Sequence, residues 1–134
     1  MSRTAAEKLG YKPWMSVRIE GAPPELTLDL PDLGPQPHDL LLWFVRSAAE
    51  VEAAAAVAEP LYHDGARLWF AYPKKSGAIR TELTRDRGWG AVAALDLLGV
   101  TQVALDDTWS ALRFRRRREI KTLTRRSERQ TNVS

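Results

Sequence analysis

Two almost uninterrupted apolar runs, Asp39 to Val45 and Arg67 to Tyr72, flank a stretch with the marks of a helix, and that succession restricts the chain to few folds. A run that is apolar at successive positions suits a strand covered on both faces. Between the runs, Ser47-Ala48-Ala49-Glu50 has the spacing of a capping box, in which the serine and the glutamate satisfy backbone donors at a helix start. The alanine-rich segment that follows predicts a helix to about Glu59, closed by Pro60, and Asp64-Gly65 turns the chain into the second run. Strand, helix and strand in that order predict a parallel pair joined by a right-handed crossover.

The flanking segments extend this unit. Thr4 to Leu9 predicts a short helix with Ser2 or Thr4 as cap and Gly10 as stop. Met15 to Glu20 alternates apolar and polar residues, as a strand with one wet face does, and Gly21-Ala22-Pro23-Pro24 breaks it. Leu26, Leu28 and Leu30 alternate with polar residues and predict a short edge strand, before a proline-rich loop from Pro31 to Pro37. Further on, Thr84 is placed to cap a helix from Arg85 to Leu98 that stops at Gly99. Strands are expected over Val100 to Leu105 and Ala111 to Arg115, and the turn between them is short enough only for a hairpin. The last strand should therefore run antiparallel to its neighbour. The expected fold is a single α/β domain over residues 1–116, three-layered, with a mostly parallel sheet and a final antiparallel strand. Residues 117–134 are polar and basic and predict a flexible tail.

Composition narrows the chemistry. The 134 residues include no cysteine, which excludes disulfides, thiolate metal sites and a cysteine nucleophile and is compatible with a cytoplasmic location. The amino-terminal residues have no apolar core of a signal peptide, and the longest apolar run, Leu40 to Val45, is too short to span a bilayer. No membrane partner, metal or cofactor is called for. The net charge of +3 hides a division: residues 113–134 carry nine Lys/Arg and two Glu, hence +7, leaving −4 on the remainder. The basic balance belongs to the tail.

The candidate site residues cluster after the second apolar run, in Leu68-Trp69-Phe70-Ala71-Tyr72-Pro73-Lys74-Lys75-Ser76-Gly77. In an open α/β sheet, ligands sit beyond the carboxyl ends of the strands. Lys74, Lys75, Ser76 and Arg80 form a candidate anion-binding loop, although exposed lysines also decorate loops without function. Thr84 and Arg85 open the next predicted helix at the same edge, where Thr84 also reads as a plain cap. Asp106 and Asp107 are a carboxylate pair suited to acid–base work or a cation, or equally to bonding their own turn. Asp107 and Trp109 would border a cleft, with Trp109 and Tyr72 as stacking surfaces, whereas Trp43 and Trp69 read as core. His38 and His63 stand isolated in loops, and no nucleophile–base arrangement is visible. Arg115, Arg116, Arg117 and Arg118 open a basic run that can contact nucleic acid phosphates nonspecifically, or merely solubilise the terminus.

Several of these residues also carry a family likeness. Lys8-Leu9-Gly10 with Pro13, then Tyr72-Pro73-Lys74-Lys75-Ser76, Leu83-Thr84-Arg85-Asp86 and Asp107-Thr108-Trp109-Ser110 with Leu112 and Phe114 occur in order. Over roughly residues 4–116 the chain resembles a small bacterial family, seen especially in actinobacteria, that has no assigned activity; Trp14 departs from the glycine expected after Pro13. More distantly, the strand–helix succession with a reversed last strand is similar to the later half of the Rossmann-like class I methyltransferases. That resemblance implies a fold and not a reaction. The turn after the first strand, Glu20-Gly21-Ala22-Pro23-Pro24, has one glycine and two prolines where a cofactor-binding loop needs backbone donors. The expected role is a non-catalytic module binding a small anionic ligand or partner. A degenerate methyltransferase-like enzyme and a nucleic-acid accessory protein acting through the tail are the alternatives.

Overall fold

The computed structural model describes residues 4–24, 26, 28–31, 34–74, 79–84 and 87–117. Three strands lie in parallel: β1 (Val17–Glu20), β2 (Leu40–Phe44) and β3 (Arg67–Pro73), with Val17 opposite Leu40 and Leu40 opposite Arg67. The helix predicted between the two apolar runs is α2 (Ala48–Ala58). Ser47 Oγ accepts from Glu50 N at 3.2 Å, while the Glu50 carboxylate reaches back one residue further than a capping box requires, to Arg46 N at 2.8 Å. A single 3₁₀ turn, Glu59–Leu61, carries Pro60 and ends the helix.

The sheet has five strands in the order β1-β2-β3-β5-β4. β4 (Leu97–Ala104) and β5 (Trp109–Arg116) are both longer than expected. β5 runs antiparallel to β3 on one side and to β4 on the other, so the sheet is parallel only across its first three strands. The reason lies in the short turn after β4, which reverses the chain and slots β5 against the open edge of β3.

Side-chain alternation along the strands builds two apolar clusters, one on each face. Leu41, Trp43, Leu68, Phe70, Tyr72, Leu112 and Phe114 pack with Val51, Ala55 and Ala58 of α2 and with Val92 of α3 (Gly90–Ala93). Rings add contacts there: Phe70 meets Phe114 edge to face at 5.5 Å and Tyr72 meets Trp89 at 5.4 Å. On the opposite face, Leu40, Leu42, Phe44, Trp69, Ala71, Trp109 and Ala111 pack with Leu28 and with Leu9 of α1 (Ala5–Leu9). Thr4 and Glu7 form the reciprocal capping box of α1, and Gly10 ends it with φ +84°. Two bonds dock α1 on the sheet: Trp69 Nε1 donates to Leu9 O at 3.0 Å, and Lys8 Nζ donates to Ala104 O at 2.7 Å.

Three expectations need correction. No strand forms at Leu26, Leu28 and Leu30; Leu28 is buried, but Asp29 adopts φ +56°, which breaks the extended alternation. The long helix over Arg85–Leu98 is reduced to the four residues of α3. Thr84 does not cap it: Thr84 and Arg87 exchange backbone bonds of 3.2 and 3.4 Å, Gly88 turns at φ +99°, and Asp96 at φ +65° delivers Leu97 into β4. Gly99 consequently lies inside a strand. At the first turn, Trp14 needs no glycine geometry, because Met15 N closes on Lys12 O at 2.9 Å and the indole stands out 72% exposed.

Phe70 is fully buried and touches both Trp89 and Phe114, so it ties β3 to α3 and β5 at once. Phe70→Ala should cost about 3–5 kcal/mol in urea unfolding, close to the whole stability of a small domain. A loss below about 1 kcal/mol would contradict this packing.

Candidate functional site

The carboxyl ends of β1, β2 and β3, the start of β5 and the 79–84 segment meet at one rim of the sheet. Lys74 N donates to Thr108 O at 2.7 Å, which sets the first residue of the dibasic bend against the Asp106–Thr108 turn. Asp107 precedes Thr108 in that turn, so it lies on the same loop that Lys74 N bonds. Lys75, Ser76 and Arg85, together with Asp86, lie outside the described residues, as does Arg118.

Trp109 is not a cleft wall. It is 1% exposed, packs edge to face on Phe44 at 5.1 Å, and is roofed by the Arg46 guanidinium 5.1 Å from its ring. Tyr72 is buried on the other face, where its hydroxyl accepts from Gln102 Nε2 at 2.6 Å. The strand pleat separates the two rings, since Trp109 pairs with Pro73 and Tyr72 with Ser110. No stacking cleft can use both.

The carboxylate pair divides its roles. Asp106 Oδ1 accepts from Thr108 N at 2.8 Å and Trp109 N at 2.7 Å, so it holds its own turn. Asp107 is exposed beside it. The Thr84 carbonyl accepts from Trp89 Nε1 at 2.7 Å, and both neighbours of that bond, Leu83 and Trp89, belong to the cluster under α2 and α3. Arg80 is exposed and adjoins Thr81, whose hydroxyl donates to Arg46 O at 2.7 Å.

Arg46 and Glu82 belong to this rim and were not singled out by sequence. Arg46 is the second residue beyond β2, a position that itself marks the carboxyl edge of the sheet. The Glu82 carboxylate accepts from Ala48 N at 2.8 Å, filling the place at the start of α2 where an external anion would be favoured. That bond from Ala48 is the first cause holding the Glu82 carboxyl below its ordinary value of 4.5.

The described part of the basic run is engaged at the other end of β5. Arg116 pairs with Glu59 at 3.2 Å and stacks on Tyr62, and Arg117 pairs with Asp96 at 2.8 Å. Among the described residues no group of three or more His, Asp or Glu is arranged to hold a metal ion, and no helix is long and apolar enough to cross a membrane.

The chain matches no protein-family model and no curated protein.

Asp106 and Asp107 should separate cleanly by mutation. Asp106→Ala is expected to cost about 1 kcal/mol in urea unfolding through its two backbone bonds, whereas Asp107→Ala should stay within about 0.5 kcal/mol of the parent. Equal effects would refute the division. Because the folded-state pKa of Glu82 is depressed, its contribution to stability is present above 4.5 and disappears as pH falls through the lower folded value. Glu82→Gln should accordingly flatten the acid side of the stability profile below 4.5 and leave its slope near neutrality unchanged.

Proposed function

We propose that the protein is a non-catalytic binding module with a three-layer, Rossmann-like and methyltransferase-like fold, which holds an anionic ligand or an anionic group of a partner at the carboxyl rim of its sheet. The observation that carries this reading is the bond from Lys74 N to Thr108 O, which fixes the start of the dibasic bend on that rim. Lys74 and Arg80 have no ion pair among the described residues, whereas Arg46, over Trp109, is paired with Glu50 at 3.9 Å and adds less to the reading. Cations without counterions on a shared edge favour an anion by simple Coulomb attraction. The fold assignment is supported by three parallel strands followed by an antiparallel β5 inserted between β3 and β4.

The enzymatic alternative has less to draw on. Asp106 is committed to its turn, and no described nucleophile lies beside a base. Nucleic-acid binding through Arg115–Arg118 is likewise weakened at Arg116 and Arg117, which are spent on Glu59 and Asp96.

Thermal unfolding in phosphate, pyrophosphate, ATP and citrate, each against sodium chloride of equal ionic strength, tests the proposal. An anion at about 100 times its Kd adds about 2.7 kcal/mol, enough to raise Tm by several degrees. The double variant Lys74→Ala/Arg80→Ala should keep the parent Tm in buffer and lose that rise. The reading is overturned if no anion exceeds the chloride control, or if the double variant responds as fully as the parent.

A further inference from the structure

The two edges of the sheet are built differently. β1, at one edge, is four residues long and carries the Arg18–Glu20 ion pair. β4, at the other, runs for eight residues, Leu97-Leu98-Gly99-Val100-Thr101-Gln102-Val103-Ala104, with no charge and no proline. Shortness, charge and proline are the usual guards of a free edge, and the β4 sequence has none of them.

The backbone groups that β4 turns outward are set by its pairing with β5. Leu105 N donates to Trp109 O at 2.9 Å and Arg117 N to Asp96 O at 3.0 Å, so Leu105 and Asp96 face β5. Successive residues alternate in an antiparallel ladder. From either end, with the irregularity between Gly99 and Thr101 absorbing one extra residue, that alternation leaves Leu97, Gly99, Gln102 and Ala104 facing away from β5. Ala104 O agrees, since it accepts from Lys8 Nζ, outside the sheet. Lys8 covers that last carbonyl alone; the outward backbone groups of Leu97, Gly99 and Gln102 have no partner among the described residues.

The outward row therefore has unequal steps of two, three and two residues. A straight strand, with even steps of two, matches only half of it. A second β4 running antiparallel matches all of it, with Leu97 opposite Ala104 and Gly99 opposite Gln102 about a two-fold axis between Val100 and Thr101. Such an isologous contact is self-complementary and closed. The same register sets Leu98 opposite Val103 and Val100 opposite Thr101, which pairs half-buried aliphatic groups and brings no like charges together. At Ala104 the second lone pair of the carbonyl is open to Leu97 N of the second copy, beside Lys8.

We propose that two copies of this chain join through their β4 edges in that register, forming one continuous ten-stranded sheet from two sheets of five. The contact uses neither Lys74 nor Arg80 and stands or falls separately from the carboxyl rim.

Sedimentation of the full chain at about 100 μM should give twice the 15.1 kDa chain mass, since a Kd of roughly 10 μM suits so small an interface. Thr101→Lys, at an exposed position, sets a lysine from each copy beside the axis. It should sediment as a single chain and keep the parent's near-UV circular dichroism. Introduced cysteines read the register, because the chain has none of its own. Under mild oxidation, Leu98→Cys mixed with Val103→Cys should form a covalent dimer, as directly opposite side chains meet disulfide geometry. Leu98→Cys mixed with Ala104→Cys, whose side chains point to opposite faces, should not. If Thr101→Lys does not fold, the cross-link decides. A parent mass other than two chains, a dimer that survives Thr101→Lys, or cross-linking to Ala104→Cys in place of Val103→Cys overturns the proposal.

Discussion

Burial of β3 on both faces, with both of its edges hydrogen-bonded, is the constraint on which the rest depends. Six of its seven residues are buried, and its backbone is shared between parallel β2 and antiparallel β5. A strand so placed has no solvent to satisfy its polar groups, so both neighbours are obligatory. Its side chains alternate between two cores: Phe70 and Tyr72 join the cluster under α2 and α3, while Trp69 and Ala71 join the cluster under α1. Neither face could be stripped without exposing large rings. The buried indole bond from Trp69 Nε1 to Leu9 O shows how tightly the second face is closed even by a five-residue helix.

What was readable in the sequence is what neighbouring residues decide among themselves. The β2–α2–β3 succession follows from two apolar runs, a serine cap and a proline stop, all of which act within a few residues. The β4–β5 hairpin was legible for the same reason, and so was the Asx turn at Asp106 as one of two open readings. The leucines at 26, 28 and 30 misled because packing against the second core asks only that apolar groups face the sheet. Asp29 in the left-handed region meets that demand without a ladder. The helix after Thr84 failed because Gly88 and Gly90 remove its early propensity, and a bridge from Thr84 to Arg87 satisfies the same backbone groups more locally.

The site was less legible because it is assembled by register. Trp109 begins a strand after a polar turn, which locally resembles an exposed aromatic at a rim. Only its pairing with Pro73, its packing on Phe44 and the arginine across its face turn it into core. His38 and His63 stand 25 residues apart and meet because two parallel strands begin together. No spacing rule within one segment carries that information.

At the carboxyl rim most of the oriented polar groups are already committed within the chain. The oriented backbone donor at the start of α2 is already used by Glu82, and Asp106 is used by its own turn. An anion arriving there meets side-chain cations, chiefly Lys74 and Arg80, in contact with solvent. Attraction of that kind weakens with ionic strength over a Debye length of about 8 Å at 0.15 M salt. It therefore suits a partner bearing several charges better than a single small ion. The parallel register runs from Leu40 opposite Arg67 to Phe44 opposite Ala71, and β3 continues two residues further, where Tyr72 and Pro73 pair with β5 and carry Lys74 to the Thr108 turn.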